Sequence, residues 1–371
     1  MKVKKICMLT STHRALDSRI FYREAKTLLN EGNSIVIIAY HPKREIIDGI
    51  KIIPLSLPKS MFERMTKVVW EVFKLAVKEN ADIYHFHDAE LIFIGLLLKL
   101  YGKKVIYDVH EDFPGVVMCK NWIPFWIRPI TSKLTKLTEK IAAIGFDGTI
   151  TATLGIAKSF PKKKTVTIQN FPVISEFQFQ EVNPYKLRDP LIVYIGAITI
   201  ARGLREMVKA ISLIPSNLKA RLLIAGAFSS KIVEDEVCKI KKCKRVKYIG
   251  WLSKERITIL LGNAKVGLVI FYPIPNQIES QPIKLYEYMA AGIPIIVSNF
   301  PLWRKIIDDI GCGILVDPLK PIDIANAISW LLGHPDQAEA MGKRGQEAVK
   351  VKYNWGNEAK KLIKFYENLL Q

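Results

Sequence analysis

Two glutamates, Glu279 and Glu287, are separated by seven residues, and the chain between them changes character. Glu279-Ser280-Gln281 reads as loop. After Pro282 the run Ile283-Lys284-Leu285-Tyr286-Glu287-Tyr288-Met289-Ala290-Ala291 reads as helix, and Gly292 stops it before the β-branched segment Pro294–Ser298. Proline at a helix start and glycine just past its end are the expected punctuation. A helix that opens from a loop offers unpaired N–H groups and the positive end of its dipole, and both favour phosphate. Carboxylates do not ligate phosphate, but they accept hydrogen bonds from sugar and ribose hydroxyls. Phosphate donors flanked by hydroxyl acceptors are therefore the chemistry this segment is built for.

Such a segment has to be held by strands and helices. Short β-branched runs at Ile6–Thr10, Ser34–Ala39, Ile50–Pro54, Asp82–Phe86, Lys104–Asp108, Gly148–Thr151 and Thr165–Ile168 alternate with helical stretches such as Arg19–Glu31, Phe62–Lys78 and Glu90–Leu100. The alternation predicts a parallel sheet covered on both faces. Residues 171–189, with Pro172 and Pro184 and no clear periodicity, predict a linker. The pattern then resumes at Leu191–Ile195, Leu204–Leu213, Ala220–Ala225, Val246–Ile249, Val266–Phe271, Lys284–Ala291, Pro294–Ser298 and Gly313–Val316. The expectation is an α/β chain of two facing, Rossmann-like, doubly wound domains. Residues 1–170 form one, residues 190–353 the other, and 354–371 a terminal helix returning to the first. Ligands of such sheets bind outside the carboxyl ends of the strands, so the expected site is an interdomain cleft.

At this point the sequence resembles the GT-B retaining glycosyltransferases called family 4. Their signature, Glu, seven residues, Glu, then Tyr-Met-Ala-Ala-Gly-x-Pro, is met by Glu279, Glu287 and Tyr288-Met289-Ala290-Ala291-Gly292-Ile293-Pro294. The resemblance implies that Glu279 contacts the donor sugar, that Glu287 contacts the ribose, and that the backbone of Ser280, Gln281, Pro282 and Ile283 faces the phosphates. The family also has a strand ending in Gly-Arg, followed by a basic residue and Gly at the next helix. Here Val193-Tyr194-Ile195-Gly196-Ala197 precedes Arg202-Gly203. Arg202 takes the second cationic position, whereas Ala197 stands where the first Arg is common. Arg205 and Lys284 are the candidates to replace that charge. Val246-Lys247-Tyr248-Ile249-Gly250-Trp251 resembles the strand that lines the nucleotide base, with Gly250 allowing close approach and Trp251 either stacking or packing.

The first half matches less specifically. His85-Phe86-His87-Asp88 and Asp108-Val109-His110-Glu111 end two strands. By resemblance His110 lies by the donor sugar. Alternation puts His85 and His87 on one face, where one reads as a core histidine. Asp17 reads as a helix cap or an acceptor contact. Residues 122–140, from Trp122 through Phe125 and Trp126 to Lys133, Lys136 and Lys140, have the composition of an element lying against an anionic membrane or of an ordinary amphipathic helix.

Composition is ordinary for a globular protein with a sizeable core, with 49 % hydrophobic and 24 % charged residues. The 55 Lys and Arg against 35 Asp and Glu give a net charge of +20, which favours polyanionic partners. No nucleic-acid-binding motif accompanies it. Cys7, Cys119, Cys238, Cys243 and Cys312 form neither a disulfide framework nor a zinc pattern, which fits a reducing, cytoplasmic setting. No run is long and apolar enough to span a membrane. With no Asp-x-Asp motif, the resemblance implies retaining, metal-independent transfer from a nucleotide-sugar donor to a saccharide or lipid-linked acceptor. No cofactor is expected. The alternatives are a nucleotide-sugar epimerase or phosphorylase of the same fold, a basic nucleic-acid- or membrane-binding protein, and an inactive transferase-like scaffold.

Overall fold

The structure is a computed structural model that describes residues 3–118, 123–177, 183–231, 233–235 and 244–370. Cys119, Trp122, Cys238 and Cys243 lie outside the described residues. The chain divides into two compact units, Met1–Asn170 with Gly356–Gln371, and Phe171–Trp355.

The first unit is built on strands β1 (Lys5–Arg14), β2 (Ser34–Tyr40), β3 (Glu45–Ile47), β4 (Ile50–Leu55), β5 (Ile83–Phe86), β6 (Lys104–Val109), β7 (Gly148–Thr151) and β8 (Thr165–Thr167). Among the described residues they form one sheet in the order β3-β4-β2-β1-β5-β6-β7-β8. Every neighbouring pair is parallel except β3 with β4. The β3 strand was not expected from sequence. It is joined to β4 by Asp48-Gly49, both at positive φ (50° and 81°), as a tight two-residue hairpin requires. Buried Cys7, Leu9, Val36, Ile38, Tyr84, Phe86 and Tyr107 pack with residues of the covering helices in an apolar layer. The terminal helix Trp355–Leu370 closes the sheet. Its Tyr366 hydroxyl meets His85 Nδ1 at 2.8 Å, Glu358 accepts from the Gln169 N–H at 2.9 Å, and Lys104 Nζ donates to the Leu369 carbonyl.

The second unit holds β9 (Leu191–Ile195), β10 (Arg221–Ala225), β11 (Val246–Tyr248), β12 (Val266–Val269), β13 (Ile295–Ser298) and β14 (Gly313–Val316). All pairs are parallel, in the order β11-β10-β9-β12-β13-β14. This is the Rossmann order, and its reversal between β9 and β12 opens a crevice at the carboxyl ends of those strands. In the first unit the equivalent reversal lies between β1 and β5. The expected linker is not a free connection over its described part. Phe171, Phe177 and Tyr185 are buried in the cores of the second unit, because aromatic anchors at irregular spacing escape a periodicity test. Among the described residues no helix is long and apolar enough to cross a membrane.

Candidate active site

The crevice of the second unit is built by glycines and aromatics before any charge enters it. Strand β9 ends at Gly196, whose φ of 128° is left-handed territory open chiefly to glycine. A Cβ there would stand 2.9 Å from Lys284 Nζ. Strand β10 ends at Gly226, where a Cβ would overlap the Gly196 carbonyl. Gly226 was not singled out from sequence, although it occupies the same strand-end position as Gly196. Gly250 follows β11, and its carbonyl accepts the Gly226 N–H at 2.8 Å. Beside it Trp251 is 75 % exposed, which removes the core-packing reading of that residue.

Two cations converge on this ledge. Lys284, on the helix Ile283–Ala290, is 6 % exposed. Its ammonium lies 3.7 Å from the centre of the Tyr194 ring and 5.6 Å from that of Phe271, and it has no hydrogen-bond partner among the described residues. Burial, with the nearby Arg202 charge, pushes this ammonium well below its ordinary pKa, against the opposing pull of Glu287. The Arg202 guanidinium lies 5.3 Å from the Phe271 ring centre and donates to the Ala197 carbonyl at 3.3 Å. Arg202 is set by Thr199, whose hydroxyl accepts the Arg202 N–H at 3.1 Å. Phe271 is itself fixed by the buried Ser298 hydroxyl, which accepts from its N–H at 2.8 Å and donates to its carbonyl at 2.9 Å.

The glutamates bracket the same helix start. Glu279 is exposed and ends the short helix Pro275–Ile278, while Glu287 is half-buried one turn beyond Ile283. The loop between them is pinned by Trp303, whose indole N–H donates to the Ser280 carbonyl at 2.7 Å. The expected row of free amides from Ser280 to Ile283 is shorter than the sequence implied. The Ser280 N–H turns back to the Gln277 carbonyl at 3.1 Å, and Pro282 has no N–H. The Leu285 N–H already donates to the Pro282 carbonyl at 3.1 Å, so the helix-start donors are the amides of Ile283 and Lys284.

In the first unit a polar cluster lies at the carboxyl ends of β5 and β6. Asp108 is fully buried and paired with Arg19, with Nη2 at 3.1 and 3.2 Å from its two oxygens and Nε at 3.3 Å. Arg19 also donates to the Ile168 carbonyl at 2.8 Å and lies 2.8 Å from Glu24 Oε1. Burial raises the Asp108 carboxyl, but Arg19 and His110 outweigh it and hold the group well below the usual carboxylate range. For Glu24, burial wins, aided by the Asp108 charge, and its pKa rises well above the usual value. His110 Nε2 sits 3.2 Å from Asp108 and 3.1 Å from His87 Nδ1, and its side chain retains 16 % exposure. Burial lowers both His85 and His87, the latter to about 3 with His85 adding to the effect, so both are neutral. His85 is the core histidine, while His87 supports His110.

Sequence reasoning missed Arg19, His13 and Asp88 as members of this edge. The His13 ring lies tilted against that of His110, 5.6 Å between ring centres. Asp88 accepts from the Ser11 N–H (2.6 Å) and from the Thr10 (2.8 Å) and Thr12 hydroxyls, tying β1 to β5 across the reversal point. Asp17 acts as the cap, accepting the Arg19 and Ile20 N–H groups at 2.7 and 3.0 Å. Glu24, His85, His87 and Asp108 offer ligand atoms within 4.8 Å of one another, the geometry a metal ion needs. Arg19, however, lies against both carboxylates, and a second cation there would meet its charge directly.

Residues 175–348 match the family described as Glycosyl transferases group 1. The chain is 27 % identical over 374 residues to an uncharacterized glycosyltransferase of Methanocaldococcus jannaschii, covering 92 % of each chain. It is 21 % identical over 337 residues to the GDP-mannose:cellobiosyl-diphosphopolyprenol alpha-mannosyltransferase of Komagataeibacter xylinus, covering 89 % of this chain and 81 % of that one. Its fold is similar to that of sucrose-phosphate synthase from Thermosynechococcus elongatus, with a TM-score of 0.77, 21 % identity and 99 % of both chains covered. The second unit is thus similar to the group 1 glycosyltransferases over residues 175–348, and the two parallel-sheet units share the fold of these solved relatives, which supports a group 1 glycosyltransferase of the GT-B fold.

Proposed function

We propose that this glycosyltransferase moves a hexose from a UDP- or GDP-sugar to a saccharide or lipid-linked acceptor, with retention at the anomeric carbon and without a metal ion. The product would be a cell-envelope polysaccharide, made at the cytoplasmic face of the membrane. The observation that carries this reading is the Lys284 ammonium, buried without a hydrogen-bond partner beside Gly196 at the β9/β12 crevice. A desolvated cation of that kind is poised for an anion the chain itself does not supply. Arg202 stands on the same aromatic ring, and the helix-start amides add further donors. A diphosphate satisfies all three.

The transfer then follows from charge placement. The bond from the anomeric carbon to the diphosphate oxygen breaks, and a bond to the acceptor oxygen forms on the same face. The acceptor's hydroxyl proton passes to the departing phosphate oxygen. Lys284 and Arg202 offset the charge that develops on that phosphate. Glu279 accepts from the sugar hydroxyls, Glu287 from the ribose, Trp251 stacks on the base beside Gly250, and His110 serves the sugar-handling step with its ring held by Asp108 and His87. GDP-mannose is the first donor to test, since a relative's name specifies it.

The test is a thermal-shift panel of UDP, GDP and their sugars on the wild type and on Glu287→Ala, followed by transfer assays with and without EDTA. A diphosphate bound at a hundred times its Kd stabilises by about 2.7 kcal/mol. Support would be a shift that Glu287→Ala weakens, EDTA-insensitive transfer and a retained anomer. No shift with any nucleotide, or an epimerised free sugar nucleotide as product, would sink the proposal.

A further inference from the structure

We propose that Tyr366 on the terminal helix and His85 on β5 are positioning residues for the transfer: together they fix where the hydrogens of the Asp108 cluster sit, and so which nitrogen His110 offers the sugar. The proposal rests on the reading of His110 as a sugar-handling residue. The terminal helix is seated at set points. Gly148 leaves room for the Phe365 ring, since a Cβ there would overlap it. Glu358 and Lys104 hold the two ends of the helix. Tyr366 is thereby held in register, 4 % exposed, with its hydroxyl 2.8 Å from His85 Nδ1. From His85 the rings run in a row, 4.5 Å between centres to His87 and 5.0 Å from His87 to His110. Phenylalanine would fill the same space as Tyr366; what the hydroxyl adds is the bond to His85.

That bond selects a tautomer. Asp108 Oδ2 lies 3.5 Å from His85 Nε2, 3.6 Å from His87 Nδ1 and 3.2 Å from His110 Nε2. An ionised carboxylate can only accept, so a ring nitrogen facing it is favoured with a hydrogen and disfavoured with a lone pair. Burial, with Glu24 and Asp108 nearby, pushes the Tyr366 hydroxyl well above its ordinary pKa, so it keeps its proton and donates to His85 Nδ1. His85 then carries its own hydrogen on Nε2, toward Asp108. At 3.5 Å that hydrogen is attracted but not bonded, and Nε2 has no hydrogen-bond partner among the described residues. The Tyr366 hydroxyl is what secures the ring in this form.

The state of His85 reaches His110 through the carboxylate. His87 Nδ1 and His110 Nε2 are 3.1 Å apart, which leaves room for one hydrogen between them. Asp108 is nearer to His110 than to His87, so that hydrogen belongs to His110 Nε2. His110 Nδ1 then keeps a lone pair and can accept from a sugar hydroxyl. Without the Tyr366 bond, His85 can carry its hydrogen on Nδ1 instead and turn a lone pair toward Asp108. The carboxylate loses one N–H dipole and favours a hydrogen on His87 Nδ1 in its place. That hydrogen fills the gap to His110, whose own hydrogen must move to Nδ1, where the ring can no longer accept.

The experiment is histidine nitrogen NMR of the full chain above about pH 8, where neutral rings with the hydrogen on Nδ1 and on Nε2 give separate signals. Spectra of His85→Gln and His110→Gln assign these two of the six histidines. In the wild type both rings should carry the hydrogen on Nε2, and Tyr366→Phe should move both toward the Nδ1 form. A buried hydrogen bond of this kind biases an equilibrium by up to about tenfold, so kcat/KM for the donor sugar nucleotide should fall by up to about tenfold. The thermal shift with UDP or GDP should match the wild type, because the residues assigned to the nucleotide lie in the second unit. A packing role for the hydroxyl would lower the melting temperature without moving the His110 hydrogen. Three results overturn the proposal: His85 with its hydrogen on Nδ1 in the wild type, a His110 ring unaltered by Tyr366→Phe, or an unaltered kcat/KM. The wild-type spectrum needs neither substrate nor variant, so it decides the His85 step even if Tyr366→Phe does not fold. Absence of transfer in the wild type would count against the transferase reading and leave the hydrogen arrangement to the spectra.

Discussion

Replacing Lys284 by Met separates two effects that usually move together. In the free protein the ammonium is 6 % exposed, without a hydrogen-bond partner among the described residues, and held mainly by the faces of Tyr194 and Phe271. Keeping a charge there costs free energy, and exchanging buried charged groups for apolar residues of like volume is often neutral or stabilising by about 1–4 kcal/mol. At about 2–4 °C per kcal/mol for a unit of this size, the nucleotide-free melting temperature should rise, by up to about 16 °C. The bound state should behave in the opposite way. Removing one partner of a desolvated charge pair costs about 2–5 kcal/mol, or about 30- to 5,000-fold in Kd for the diphosphate. The assay is a melting curve with and without UDP and GDP, repeated with Lys284→Arg to test whether charge alone suffices. If Lys284→Met melts lower without nucleotide and responds to nucleotide as the wild type does, Lys284 is a structural residue and the argument fails.

Two further perturbations read the first unit. Burial pushes Glu139 up to about 7, and it accepts the Tyr107 hydroxyl at 2.7 Å. A raised carboxyl favours folding below its unfolded pKa, and that advantage is lost as pH rises through about 7. Glu139→Gln should therefore flatten the melting-temperature profile between about pH 4.5 and 7, and should be the more stable form above pH 7 by up to about 3 kcal/mol; an unchanged profile would contradict the assignment. Asp108→Asn leaves Arg19 without its ionised partner, which costs about 3–5 kcal/mol in chemical denaturation. In that variant Glu24 is the remaining carboxylate against Arg19, so its pKa should fall from its raised value and the stability deficit relative to the wild type should narrow as pH rises. A pH-independent loss would mean that Glu24 does not share the charge.

Much of this was legible before the fold. The β-branched runs and their helices gave the two sheets because a parallel strand covered on both faces reads as a near-continuous apolar run. The helix Ile283–Ala290 was visible because Pro282 and Gly292 punctuate it. What sequence could not supply were pairings across long separations. Arg19 and Asp108 are 89 residues apart, and nothing in either local pattern marks them as partners. Arg19 read only as opening the first helix, whereas it is buried and bonded to Asp108 of β6, to the Ile168 carbonyl just after β8 and to Glu24. The Phe271 platform under both cations was hidden for the same reason, since an aromatic ending a buried strand looks like core. The β3 hairpin is different: Asp48-Gly49 is a strong local turn signal that was passed over because Glu45–Ile47 is too short to register as a strand.

The position of Ala197 can be settled by moving the charge. By resemblance it stands where an arginine is common, which on sequence alone leaves open an impaired enzyme. In the fold the Ala197 carbonyl already accepts the Tyr194 hydroxyl at 2.7 Å and the Arg202 guanidinium, and its side chain is exposed. The Lys284 ammonium approaches the adjacent Gly196 from the helix side. We propose that the missing cation has changed element, from the loop after β9 to Lys284 in the first turn of the helix Ile283–Ala290. If the two positions serve one phosphate, Ala197→Arg should restore much of the nucleotide-induced shift lost in Lys284→Met. It should add little to the wild type, because like charges crowd the same ligand. Non-additivity of this kind, measured as a double-mutant cycle on the Kd of UDP or GDP, marks a shared partner. Strict additivity would assign the two positions to different ligands and return Ala197 to the status of an unreplaced loss.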